Sequence, residues 1–166
     1  MGVEHTSEYF LTAYDSYADA IFRHCYFRVF SRERAQELTQ DVFMRTWEYL
    51  AQGKSIENIR AFLYRVATNL IIDESRKKKD VSLGALQEKG FDAPSSHNPA
   101  RTHAMLDGKF AKEVLMKLDP MYRDVVLMRY MNDLTPKEIA QALGESENVV
   151  SVRIHRGLKQ LREKLG

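Results

Sequence analysis

The sequence predicts an all-α fold, arranged as two small helical domains joined by a flexible linker. Three observations carry that prediction. Apolar residues recur at spacings of three and four over most of the chain, the period of one helix face. No stretch alternates apolar and polar residues for long enough to make a useful strand. Helix breakers gather in one block instead: VSLGALQEKGFDAPSSHNPA, residues 81–100, holds two prolines, two glycines and three serines and has the composition of a linker. The expected organisation is a first domain over 1–80, a linker over 81–103 and a second domain over 104–166.

The elements follow in order. Phe10, Tyr14, Tyr17, Ile21 and Cys25 form the apolar stripe of a first helix, with Ser7 as its expected N-cap. A second helix starts after Ser31, carries Ala35, Leu38, Val42, Phe43, Thr46 and Leu50, and stops at Gly53. A third begins near 55–58, carries Ile59, Phe62, Leu63, Val66, Leu70 and Ile71, and runs into Arg76 and the lysines after it. Helix resumes near Thr102 with Met105, Phe110, Val114, Leu115 and Leu118. Asp119-Pro120 interrupts it, and Pro120 in a first turn restarts a helix through Val125, Val126, Leu127 and Tyr130. Asn132-Asp133 turns the chain, and two further helices close it.

Composition narrows the function classes. Hydrophobic residues make up 44% and charged residues 29% of the 166 residues, which suits a folded chain. The formal net charge of +2 is too small to identify a partner, so the distribution of charge matters more. A single cysteine, Cys25, leaves no intramolecular disulfide and no cysteine-based metal site. The N-terminal residues lack the basic start and apolar run of a signal peptide. No segment approaches the roughly 18 apolar residues of a membrane span. A cytoplasmic protein without a cofactor is expected. Nothing suggests an enzyme: there is no carboxylate pair, glycine-rich phosphate loop or nucleophile elbow, and the five histidines are scattered.

One segment carries a recognisable grammar. In LTPKEIAQALGES, residues 134–146, Thr135 is an N-cap, Pro136 opens the helix and Glu138 completes a capping box. Ala140 is small where a second helix crosses closely. Gly144 supplies the positive φ of a tight turn. Ser146 caps the next helix, ENVVSVRIHRG, whose Val150 and Ile154 face inward. This is a helix-turn-helix, in which the second helix enters the major groove. Asn148, Ser151, Val152, His155 and Arg156 face outward, with Arg153 and Lys159 placed for phosphates. Arginine matches the acceptor pair of guanine and asparagine pairs with adenine. His155 is read either as a base contact or as an ordinary surface residue.

The first half mixes aromatic and basic residues on one helix, at Arg60, Tyr64, Arg65, Asn69, Arg76 and Lys77. That mixture suits single-stranded DNA, although aromatic stripes also build ordinary cores. The segments ELTQDVFMRTWEYL, AFLYRVATNLIIDESRKK and LDPMYRDVVLMRYMNDLTPKEIAQALGESENVVSVRIHRGLKQLREKL occur in that order. Together they resemble the extracytoplasmic-function group of bacterial RNA polymerase sigma factors, over nearly the whole chain.

The resemblance implies a sigma-2 helical bundle and a sigma-4 helix-turn-helix that bind core RNA polymerase and direct it to −10/−35 promoters. It carries Glu37, Leu38, Gln40, Asp41 and Phe43 over as polymerase contacts. It assigns Lys54, Arg60, Tyr64, Arg65, Asn69, Arg76 and Lys77 to the melted −10 element. The −35 duplex falls to Asn148, Ser151, Val152, Arg153, His155, Arg156 and Lys137. Many relatives answer to an anti-sigma factor. Two alternatives stay open: a stand-alone helix-turn-helix regulator, and a sigma mimic that sequesters an anti-sigma factor. Retention of Arg65, Arg76, Lys77, Arg153 and Arg156 argues against the mimic.

Overall fold

A computed structural model of the chain describes residues 3–82, 110 and 112–165. Every regular element among them is helical. The first half is built from α1 (Val3–Val29), α2 (Arg32–Ala51) and α3 (Ile59–Ser82). The second half starts with a helical turn at 112–116. It continues through α4 (Pro120–Val126), α5 (Pro136–Leu143) and α6 (Glu147–Leu165). The linker expected over 81–103 lies outside the described residues apart from its first two, which still belong to α3. The helix start expected near Thr102 also lies outside them.

Local chemistry sets the boundaries. α1 begins at Val3, four residues before the Ser7 that the sequence proposed as its cap. Its first turn is polar, with Glu4 favourably placed at the positive helix end, and a polar turn gives the apolar stripe no period to extend. At the other end Phe30 adopts φ 53°, reversing the chain. Ser31 then caps α2 by accepting from the Arg34 amide at 3.2 Å. Asn58 opens α3 in the same way, accepting from the Ala61 amide at 3.1 Å.

The three N-terminal helices pack on one another around Ile21, Cys25, Leu38, Val42, Phe43, Leu63 and Ile71. Each fully buried aliphatic side chain contributes roughly 1.5–3 kcal/mol before entropy is charged against it. Tyr14, expected on the buried stripe, is 46% exposed and meets Phe43 edge-on at 4.9 Å. It lies at the rim of the bundle, where an aromatic ring keeps one side in water.

The C-terminal helices pack around Val125, Leu127, Met128, Leu134, Ile139 and Val150. Phe110 and Tyr130, both expected inside, are 65% and 54% exposed. Tyr130 turns outward for a structural reason. Residues Leu127–Met131 form a π-helical turn, in which the Asn132 amide donates to the Leu127 carbonyl at 3.2 Å. The wider turn shifts every following side chain off the α-helical stripe.

The two helical domains meet, and their buried residues form one contiguous core cluster. α3 packs directly against α5. Each half covers apolar surface of the other along this contact.

Candidate nucleic-acid interface

The helix-turn-helix forms as its sequence dictates. Thr135 accepts from the Glu138 amide at 3.1 Å, and the Glu138 carboxylate accepts from the Thr135 amide at 3.2 Å, closing the capping box. Gly144 ends α5 at φ 67°. Ser146 caps α6 by accepting from the Val149 amide at 3.1 Å. Ala140 and Val150 are buried at the crossing. Asn148, Ser151, Val152, His155 and Arg156 are all exposed, on a face opposite the buried Val150. Lys137 is exposed on α5. Arg153 is half-buried and bonds to Glu145 at 3.4 Å, so part of its charge is already answered within the fold. Gly157 is buried where α6 crosses α4. A Cβ there would stand 2.8 Å from Val126 Cγ2. The sequence reading did not single out this close crossing, although a glycine in a helix interior is its signal.

On α3 the expected −10 residues separate into two groups. Arg65, Asn69, Arg76 and Lys77 are exposed; the first three, at spacings of four and seven, share one helix face. Lys54 is exposed in the preceding loop, its ammonium 5.1 Å from the Tyr49 ring centre. Tyr64 is instead buried at 1% exposure, with its ring 5.2 Å edge-on from His24. Arg60 is drawn inward as well. Its guanidinium donates to the Asn132 carbonyl at 2.7 Å and lies 3.9 Å from Glu138. Both residues face the junction between the halves, because α3 turns that side toward α5.

On α2, Glu37, Gln40 and Asp41 are exposed beside Met44 and Glu48. Leu38 and Phe43, expected at the same surface, are core residues at 2% and 3% exposure. The three- and four-residue step that puts them on one face with Val42 also puts them inside. Arg34 pairs with Glu37 and with Glu74 of α3, joining α2 to α3 beside that surface.

A polar cluster missed in the sequence lies between the halves. The His24 Nδ1–H donates to Asn132 Oδ1 at 3.3 Å, and His24 Nε2 is buried with no hydrogen-bond partner among the described residues. Burial, and then the positive charge of Arg28, pull the imidazole down to a pKa of about 3, so it is neutral at pH 7. Burial also pushes the Tyr64 phenol up to about 12. Arg28 forms an ion pair with Asp124 across the junction; burial lowers its pKa to about 10, which leaves it charged. The available signal was His24 itself, a histidine set among Ile21, Phe22, Cys25 and Tyr26.

These two helical faces match known sequence families. A family model described as sigma-70 region 2 matches residues 13–81, and one described as sigma-70, region 4 matches residues 111–161. The chain belongs to the ECF group of sigma-70 factors. This ECF factor is 30% identical to "ECF RNA polymerase sigma factor SigW" of Bacillus subtilis, over 91% of this chain and 86% of that one. It is 28% identical to "ECF RNA polymerase sigma factor SigL" of Mycobacterium tuberculosis, over 90% and 84%. Its fold is that of CnrH, solved with the cytosolic domain of CnrY, at TM-score 0.73, 21% identity and coverage of 96% and 88%. It is also that of the sigma factor RpoE of Bartonella quintana, solved with the anti-sigma factor NepR, at TM-score 0.76, 19% identity and 98% coverage of both chains. The region 2 match takes in α2 and the α3 stripe, and the region 4 match takes in the helix-turn-helix. Among the described residues of this ECF factor, no helix is long and apolar enough to cross a membrane.

Proposed function

We propose that this ECF factor is an alternative sigma factor of the bacterial cytoplasm that binds core RNA polymerase, directs it to −10/−35 promoters and helps open the duplex. The observation that carries this reading is the pair of exposed polar and basic faces. One lies on α3 within the region 2 match and the other on α6 within the region 4 match. Polymerase docks on the α2 face through Glu37, Gln40 and Asp41, with Leu38 and Phe43 supporting that face from beneath. Arg65, Asn69, Arg76, Lys77 and Lys54 take the melted −10 strand. Asn69 has an amide that both donates and accepts on a base edge, and the cations take phosphates. A base turned out of the stack costs a few kcal/mol, which these contacts must offset. Asn148, Ser151, Val152, His155 and Arg156 read the −35 duplex from the major groove.

The protein supplies no covalent chemistry in this role; it positions polymerase and traps single-stranded DNA. An anti-sigma factor is a further partner, supported by the RpoE–NepR complex. Run-off transcription with purified core polymerase and a promoter library tests the reading. Specific transcripts that depend on added protein are expected. Duplex binding without polymerase, and no transcripts, would instead identify a stand-alone regulator.

A further inference from the structure

We infer that Val152 reads a thymine of the −35 duplex through its C5-methyl group, so that the promoters of this ECF factor carry an A·T pair where the outer pole of α6 meets the groove. The inference rests on the promoter-binding reading above and names the base that one of its residues selects.

The rotation of α6 singles out Val152. Successive α-helical residues turn by about 100°. Measured from Val152, the positions of Gly157, Val150, Leu161 and Ile154 lie at about 140°, 160°, 180° and 200° around the axis. Gly157 and Val150 are buried, and Ile154 and Leu161 pack against the core. The outward pole of the helix therefore coincides with Val152, which is 39% exposed. Asn148 and Arg156 flank it at about 40° on either side, and His155 lies about 60° away. All three are exposed. Val152 stands in the second turn of α6, within the N-terminal half that meets base edges when such a helix enters the major groove. The residue at the pole then faces the groove floor.

That pole is apolar within a polar face. Asn148, Ser151, His155 and Arg156 all carry hydrogen-bonding groups in their side chains, and Val152 carries none. The outer face of a surface helix is ordinarily charged or polar. A β-branched side chain loses rotamer freedom in a helix, and at Val152 no burial within the fold offsets that loss. Val150 is the same residue type at 0% exposure, where the core explains it.

The groove offers one match. Guanine O6 and N7, adenine N6 and N7, cytosine N4 and thymine O4 are polar, and the thymine C5-methyl is the apolar group displayed there. A cytosine amino group or a guanine carbonyl pressed against the Val152 isopropyl group would lose water and gain no partner. Against a thymine methyl no polar group is stranded, and two apolar surfaces leave water together. Val152 thus selects by exclusion as well as by attraction. Its side chain is short and stiff at χ1, which confines the contact to the base pair directly beneath it. Asn148, one turn earlier and about 6 Å along the axis, falls within about two base pairs of it.

The test uses the full chain assembled with purified bacterial core RNA polymerase, which selects duplexes from a promoter library randomised across the −35 element. Thymine is expected to dominate one position. Uracil, which lacks only the methyl group, then replaces each selected thymine in turn, and binding is measured by mobility shift. At that one position the unmodified protein should bind about fourfold more weakly, the loss expected for one buried methyl group. Val152→Ile should show the same sensitivity. Val152→Ser should bind the thymine and uracil duplexes equally there, with its response at every other position and its affinity for core polymerase unchanged. No selected thymine, uracil tolerated by the unmodified protein at every position, or an undiminished uracil penalty in Val152→Ser would overturn the assignment. A library with no enriched −35 sequence at all would sink the promoter-binding reading and the thymine contact with it, a result distinct from a −35 element enriched in other bases.

Discussion

Replacing Gly157 with alanine sets two effects of known size against each other. Glycine inside a helix costs about 1 kcal/mol relative to alanine, so propensity alone predicts a gain. Packing predicts a loss. The new Cβ would stand 2.8 Å from Val126 Cγ2 and 3.2 Å from Tyr122 Cβ, against an ordinary contact of 3.4–4 Å. Val126 is a short branched side chain at 6% exposure, with little room to turn. The Tyr122 Cβ is fixed to the backbone of α4 and cannot rotate away. α6 must therefore move outward, and overpacking of this kind costs roughly 1–3 kcal/mol. The expected net effect is a destabilisation of about 1 kcal/mol, or roughly 2–4 °C in Tm for a chain of this size. Gly157→Leu gains no more propensity and adds three further carbons to the same contact, so it should lose considerably more. Urea unfolding followed by circular dichroism measures both. A Gly157→Ala protein about 1 kcal/mol more stable than its parent would refute the close crossing, since propensity would then have acted unopposed.

Four other outcomes follow from the geometry. His24 is neutral in the folded protein with a pKa of about 3 against an ordinary 6.5, so its contribution is fully present above pH 6.5 and is lost as pH falls from there toward 3. By pH 5 the loss is about 2 kcal/mol. The unfolding midpoint should fall more steeply with acid than in His24→Gln, and parallel falls would show that His24 does not carry the acid sensitivity. Thr135→Ala removes one arm of the capping box and should cost about 1 kcal/mol, with Thr135→Ser restoring most of it in the same denaturation assay. Asn69→Ala should impair promoter opening, read by permanganate reactivity of unpaired thymines, while sparing polymerase binding; normal opening would remove Asn69 from the pocket. Arg156→Ala should weaken −35-dependent binding by about 1–3 kcal/mol in a mobility-shift titration, and unchanged affinity and base preference would show that it reads no base.

The helix-turn-helix was legible almost residue by residue, because caps and a positive-φ glycine are local signals. Thr135, Glu138, Gly144 and Ser146 all act where the sequence placed them. The exposed face of α6 followed from the register of Val150. Side chains on α2 and α3 were harder to sort, since an apolar or aromatic residue next to a functional face is compatible with core and with contact. Leu38, Phe43 and Tyr64 proved to be core. The polar junction was the least legible part. His24 and Asn132 are 108 residues apart, and neither carries a local signal for the other. Only the packing of α3 on α5 brings them together.

The π-helical turn at Leu127–Met131 makes the chain tolerant of the loss of one residue at this point. A π turn is an α-helix carrying one residue more than its hydrogen bonds require. Each helical residue advances the chain by about 100° of rotation. Losing any one residue between 127 and 131 would restore a regular helix and leave Asn132 at nearly the same rotation, because four α-helical residues sweep about the angle that five sweep in the wider turn. Substitutions that keep five residues in the turn leave this orientation in place. The turn is thus a point at which the chain can give up a residue and still present Asn132 to Arg60 and His24.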